Sequence, residues 1–79
     1  MPGVTVSNVD PSSEYGISDL DSGGSTQYFG FLDRHDNWMI MQVTSTTVRY
    51  VKGVGLSSYQ TSWTGRAGLS YDYFSTVFK

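Results

Sequence analysis

Residues 26–52 run TQYFGFLDRHDNWMIMQVTSTTVRYVK. Aromatic and β-branched residues gather in three short runs, 27–32, 38–44 and 48–52, which suits a pleated surface. Asp33, Arg34, His35, Asp36 and Asn37 separate the first two runs, a polar loop long enough for a hairpin built on a type I turn. Ser45, Thr46 and Thr47 turn the chain into the third run, which Gly53 ends. The expectation is a three-stranded antiparallel meander in a mostly β protein.

Side chains alternate between the two faces of a strand, so each run can be divided. In the first, Tyr28, Gly30 and Leu32 oppose Phe29 and Phe31. In the second, Trp38 and Ile40 oppose Met39, Met41 and Val43, and in the third Val48 and Tyr50 oppose Arg49 and Val51. Neither face is polar. A lone antiparallel meander normally keeps one wet side, so both faces here call for cover. The carboxy-terminal segment is expected on one and another subunit on the other.

Residues 1–25 read as an extended amino-terminal arm, and 26–79 as a small β domain with a carboxy-terminal cap. In the arm, Val4 and Val6 alternate with polar neighbours, enough for a short strand that could add to a sheet edge. Asp10-Pro11-Ser12-Ser13 signals a turn, and Ser22-Gly23-Gly24-Ser25 a hinge. An arm docked on a neighbouring subunit and a loose terminus both fit this composition. Residues 53–58 (GVGLSS) read as a loop. Beyond it Tyr59, Trp63 and Arg66 are spaced for one helical face, while Gly65 and Gly68 argue against a long helix. A short helical turn over 60–66 is expected, then an extended or singly turned tail whose Phe78 needs cover.

Seventy-nine residues make one small domain, whose core barely offsets the entropy of ordering the chain. There is no cysteine, which excludes disulfides and cysteine-ligated zinc, so a partner subunit is the expected supplement. The net charge is −2 and only 15% of residues are charged, which gives no attraction for nucleic acid or an anionic membrane. No apolar run approaches the roughly 20 residues that span a bilayer. Residues 1–4, MPGV, lack the basic and apolar regions of a signal peptide.

No catalytic constellation stands out. His35, the one histidine, lies in the hairpin loop between Arg34 and Asp36, without a nucleophile or oxyanion donors in sight. The Asp33, His35, Asp36 and Asn37 cluster, like Asp19 and Asp21 beside Gly23, has oxygen donors but not the spacing of a calcium loop. Solvated turns account for both, and no cofactor or metal is expected. The aromatics carry more: Trp38, Trp63, six Tyr and four Phe. They serve as core, as protein interface, where Tyr, Trp and Arg are enriched, or as platforms for sugar rings. Core plus subunit interface is the expected use. The candidate interface residues are Phe29, Phe31, Trp38, Met39 and Met41 in the strands, and Trp63, Tyr71, Tyr73, Phe74 and Phe78 in the tail. Arg66, the one charge among the tail aromatics apart from Asp72, should pair with a carboxylate such as Asp72 or stack on Trp63 or Tyr59.

A run of these motifs resembles a known pattern. Tyr28-Phe29-Gly30-Phe31-Leu32-Asp33, then Asn37-Trp38-Met39-Ile40-Met41, then Val48-Arg49-Tyr50-Val51-Lys52-Gly53, stand in order before Tyr59, Trp63, Arg66, Leu69, Tyr71-Asp72-Tyr73-Phe74 and Phe78. The order is similar to "YYGF.D..G.WYIM", "YRYA.G" and "Y...W..R..L.YDYF...F" in small virion-associated proteins of tailed bacteriophages. The similarity covers residues 28–78, about two-thirds of the chain. Asn37 directly follows Asp36 where that pattern often has a glycine, and Val51 stands where alanine is common. Such proteins have no assigned activity, so the resemblance implies a setting rather than a mechanism. It implies a non-enzymatic structural or accessory subunit of the virion, as capsid decoration, cement or a fibre-associated part. The implied partners are other virion proteins and further copies of the chain, with a trimer as the expected homo-oligomer. A receptor- or glycan-binding module at a fibre tip is the alternative.

Overall fold

The computed structural model of the chain describes residues 15–79. The strand expected at 4–6 and the turn at 10–13 lie outside the described residues. Four strands form one antiparallel sheet in the order β1-β2-β3-β4. They are β1 (Gly16–Asp21), β2 (Gln27–Leu32), β3 (Asn37–Val43) and β4 (Val48–Val54). The helix α1 (Leu56–Thr64), a 3-10 turn (Arg66–Gly68) and the single-turn α2 (Phe74–Val77) follow. The protein is mostly β, and the three expected strands are β2, β3 and β4.

The fourth strand corrects the expected architecture. β1 falls inside the segment read as arm, and its pattern hides it. Ile17 pairs with Phe31 and Asp19 with Gly30, so Ser18 is an extra residue in a bulge. A bulge breaks period-two alternation, and here it brings Ile17 and Leu20, three apart, to one face. The opposite side of β1 carries Asp19 and Asp21, which the carboxy-terminal elements hold. The Tyr59 hydroxyl donates to Asp19 Oδ2 at 2.6 Å, and Arg66 donates from Nε and Nη2 to Asp21 Oδ2 at 3.1 and 3.0 Å. Arg66 therefore pairs with Asp21 rather than Asp72, and it also lies over the Trp63 ring at 4.5 Å.

Local chemistry sets both central hairpins. Asp33 Oδ1 accepts from the backbone N–H of His35 and Asn37 at 2.8 and 2.9 Å, and its Oδ2 accepts from the Asn37 amide at 2.8 Å. This satisfies the buried carboxylate and lets Asp36 take φ 62°, which Asp and Asn tolerate in turns. At the next turn the Thr47 N–H donates to Thr44 Oγ1 at 3.0 Å. The loop expected at 53–58 is shorter than that. β4 runs to Val54 and α1 starts at Leu56, because Gly55 at φ 101° reverses the chain in a single residue. The helical turn expected at 60–66 accordingly starts four residues earlier and ends at Thr64.

The core lies between the first sheet face and α1. Tyr28, Trp38, Ile40 and Tyr59 are buried, with Leu32, Val51, Trp63, Leu69 and Tyr71 packed against them. α1 lies close to the sheet because Gly30 presents no side chain beneath Tyr59 and Trp63. The tail then bridges to the outer edge of β4, where Tyr50 and Asp72 exchange N–H···O bonds of 2.8 and 2.9 Å. From there α2 turns onto the second face.

Candidate interaction surface

The second face is built from the alternate residues of all four strands. The register aligns them in rows. Leu20, Phe29, Met41 and Tyr50 form one, and Ile17, Phe31, Met39 and Lys52 the next. Phe29, Phe31, Met39 and Met41 are partly exposed at the centre. On the edge strand Ile17 and Leu20 are 62% and 63% exposed, high for large aliphatic side chains. A contiguous apolar surface of this kind marks an interaction site more often than scattered apolar residues do.

α2 covers only the β4 side of this face. Phe74 meets the Tyr50 ring edge-on with centroids 5.1 Å apart, and Phe78 stacks on Phe74 at 4.8 Å. The cations at this rim sit on rings: Arg49 over Tyr73 at 4.1 Å and Lys52 over Phe78 at 5.2 Å. Phe74 remains 54% exposed on the outside of this ledge. The expectation that the tail covers one face and leaves the other to a partner thus needs revision. The tail covers the centre of the first face and a margin of the second.

The candidate interface residues accordingly separate. Phe29, Phe31, Met39 and Met41 share the open face, and Phe74 and Phe78 form its ledge, whereas Tyr73 lies on the first-face side, over Arg49. Trp38 instead lies in the core at 4% exposure, enclosed by Tyr59 and the flat backbone of Gly53. Trp63 and Tyr71 also pack on the core side, Trp63 stacked on Tyr59 and Tyr71 donating to the Arg66 carbonyl at 2.8 Å. Ile17 and Leu20 belong to the open face and escaped sequence reasoning because the bulge disguises their shared orientation.

A cleft of about 250 Å³ opens at one end of the sheet, lined by Tyr15, Asn37, Lys52, Gly53, Val54 and Phe78. It holds a hydroxyl, an ammonium and an amide but no nucleophile–base pair. Burial, reinforced by the Asp33 carboxylate, pushes the Tyr15 phenol above its ordinary range, so it stays protonated near neutral pH. His35 sits in the exposed hairpin turn, away from this cleft's lining. Among the described residues no group of three His, Cys, Asp or Glu side chains could hold a metal ion, and no helix is long and apolar enough to cross a membrane.

Comparison with protein-family models, with curated proteins and with solved structures found no match to this chain.

Proposed function

We propose that this chain is a non-enzymatic structural or accessory protein of a tailed-phage virion, a capsid-decorating or cement protein or a fibre-associated subunit. It works through protein–protein contacts made by the open face of its sheet, and it resides in the phage particle. The observation that carries this reading is the apolar row structure of that face, where Ile17, Leu20, Phe29, Phe31, Met39 and Met41 meet water in the single chain. The resemblance of residues 28–78 supplies the setting, and the low charge suits life inside an assembly.

The glycan-binding alternative is less well supported. Trp38 is enclosed, and Trp63 lies between Tyr59 and Arg66, so neither tryptophan offers a free face for a sugar ring. The deciding experiment is co-sedimentation of the purified full chain with capsids and with tails of the phage that encodes it. Saturable binding to one of them is expected, and Met39→Lys should abolish it. Absence of binding to both would end the virion reading.

A further inference from the structure

We propose that the cleft at the end of the sheet binds a carboxylate carried on a small apolar body, with Lys52 as the anion partner and the rings of Phe78 and Tyr15 as walls. The site is additional to the docking role of the open face and holds or fails independently of the virion setting.

The cleft is formed before any ligand arrives. Asn37 and Val54 are cross-strand partners at the end of β3 and β4, and Lys52 stands two residues from Val54 on the same face. Gly53 supplies backbone between them, and Trp38 packs so closely against it that no side chain would fit there. The Gly55 N–H donates to the Asp36 carbonyl at 2.8 Å and ties the end of β4 to the hairpin turn. Phe78 is held by stacking on Phe74 and by the Tyr50 ring, whose centroid is 6.1 Å away. Tyr15 comes from the opposite end of the described chain, just before β1. A site whose walls are already in place loses little affinity to ordering them.

The polar groups of the cleft select the ligand. Lys52 is the one charged side chain that lines it. Among the described residues the only salt bridge joins Arg66 to Asp21, so no carboxylate there neutralises Lys52. The Lys52 ammonium lies over the Phe78 ring at 5.2 Å, a contact that leaves N–H donors for an anion. The Tyr15 hydroxyl, protonated near neutral pH, adds a donor. The Asn37 amide gives one N–H to Asp33 Oδ2 and keeps a second. An ammonium, a phenol and an amide N–H around one space call for a negatively charged acceptor. Asp33 does not line the cleft, and its carboxylate is already met by three N–H groups of His35 and Asn37. A neutral sugar would cover the ammonium without a counter-charge, at a cost in desolvation, and a cationic ligand would be repelled. Phe78, Val54 and the Tyr15 ring call for apolar atoms behind the carboxylate. At about 250 Å³ the cleft is just under the roughly 300–1,000 Å³ of sites for drug-sized ligands, so it takes one group of side-chain size. A small free acid and an acidic residue of a bound protein both present this chemistry.

The probe is hydrocinnamate, a phenyl ring on a short chain ending in a carboxylate, titrated into the isotope-labelled full chain and followed by amide NMR shifts. Saturable shifts are expected at Asn37, Lys52, Gly53 and Val54, with a dissociation constant on the order of 1 mM. The neutral amide of the probe should bind at least ~10-fold more weakly, because the charge-assisted bonds are lost. Acetate, which lacks the apolar body, should also bind at least ~10-fold more weakly. Lys52→Met keeps the apolar stem at an exposed position, so the fold should be unchanged by circular dichroism while affinity for the probe falls at least ~10-fold. No saturable shift, shifts centred away from the cleft, equal binding of the amide, or undiminished binding to Lys52→Met would each overturn the inference. Co-sedimentation with phage particles then separates the two sources. Particle binding displaced by excess hydrocinnamate and lost in Lys52→Met assigns the carboxylate to a virion protein, while probe binding without displacement assigns it to a free acid. Probe binding by a chain that binds no particle supports the cleft and ends the virion reading alone.

Discussion

Gly30→Ala tests the packing of the cap against the sheet most directly. A methyl group at Gly30 would overlap the Tyr59 phenol oxygen and lie 3.0 Å from Tyr59 Cζ and 3.1 Å from Trp63 Cε3. Tyr59 is buried at the centre of the core, and its hydroxyl is tied to Asp19, so it cannot swing aside without cost. Overpacking of this kind costs about 1–3 kcal/mol. Displacing the hydroxyl also breaks its bond to the carboxylate, worth about 1.5 kcal/mol where water can partly re-solvate the acceptor. The sum is about 3 kcal/mol. For a domain of this length each kcal/mol moves the melting point by about 4–8 °C, so a fall of roughly 12–24 °C is expected in thermal melts followed by circular dichroism. Tyr59→Phe removes the overlapping atom. Adding it to Gly30→Ala should therefore cost less than it does alone, with a coupling of at least about 1 kcal/mol. Gly23→Ala, where nothing lies within 4 Å, should change stability by less than about 0.5 kcal/mol. A Gly30→Ala protein that melts within about 4 °C of the parent, or strictly additive effects, would refute the close approach of α1 to β2.

Three further outcomes follow from the other anchors. Arg66→Ala should lower stability in urea denaturation by about 1–2 kcal/mol, because the Asp21 pair is part-exposed and the bond to the Trp63 carbonyl is lost with it. Arg66→Lys should recover less than half, since an ammonium cannot span Asp21 and the Trp63 carbonyl as the fork does. Burial acts to raise the Asp33 carboxyl, but the bonds from the Asn37 side chain and from the His35 and Asn37 N–H groups outweigh it and hold the group below the ordinary 3.8. A depressed folded value means stability present above 3.8 and lost as pH falls through the folded value. Acid melts should therefore steepen below about pH 4, and Asp33→Asn should flatten that slope; an unchanged slope would remove Asp33 from the acid response. Burial and the neighbouring Tyr28 push the Tyr71 phenol up to about 12 despite Arg66, and burial with Asp19 raises Tyr59 further. Raised folded values mean stability that is complete below the unfolded 10.0 and lost as pH rises above it. Alkaline unfolding followed at the tyrosinate band should begin above pH 10, and Tyr71→Phe should weaken its pH dependence.

Much of this sheet was legible because local pattern and tertiary environment agree. β2, β3 and β4 are rich in aromatic and β-branched residues, and the turns between them are polar. The i, i+4 spacing of Tyr59 and Trp63 likewise placed both on the side of α1 that faces the sheet, while Arg66 lies beyond the helix, in the 3-10 turn, and reaches Asp21 from there. β1 was not legible. Two of its apolar residues lie three apart, its remaining side chains are polar, and only the bulge and the partners of Asp19 and Asp21 make it a strand. The aromatics were legible as a class but not by location, since Trp38 and Met39 are adjacent in sequence and point to opposite faces.

The sequence alone determined that residues 26–52 form an antiparallel meander with two apolar faces, because strand alternation is a local property of the backbone. Which face stays open is a matter of long-range packing. That choice depends on contacts from 40 and 45 residues away, Tyr59 to Asp19 and Arg66 to Asp21, which draw the cap onto one side and add β1 to the sheet. α2 then packs on the β4 margin of the other side, and among the described residues the row from Leu20 to Met41 stays open.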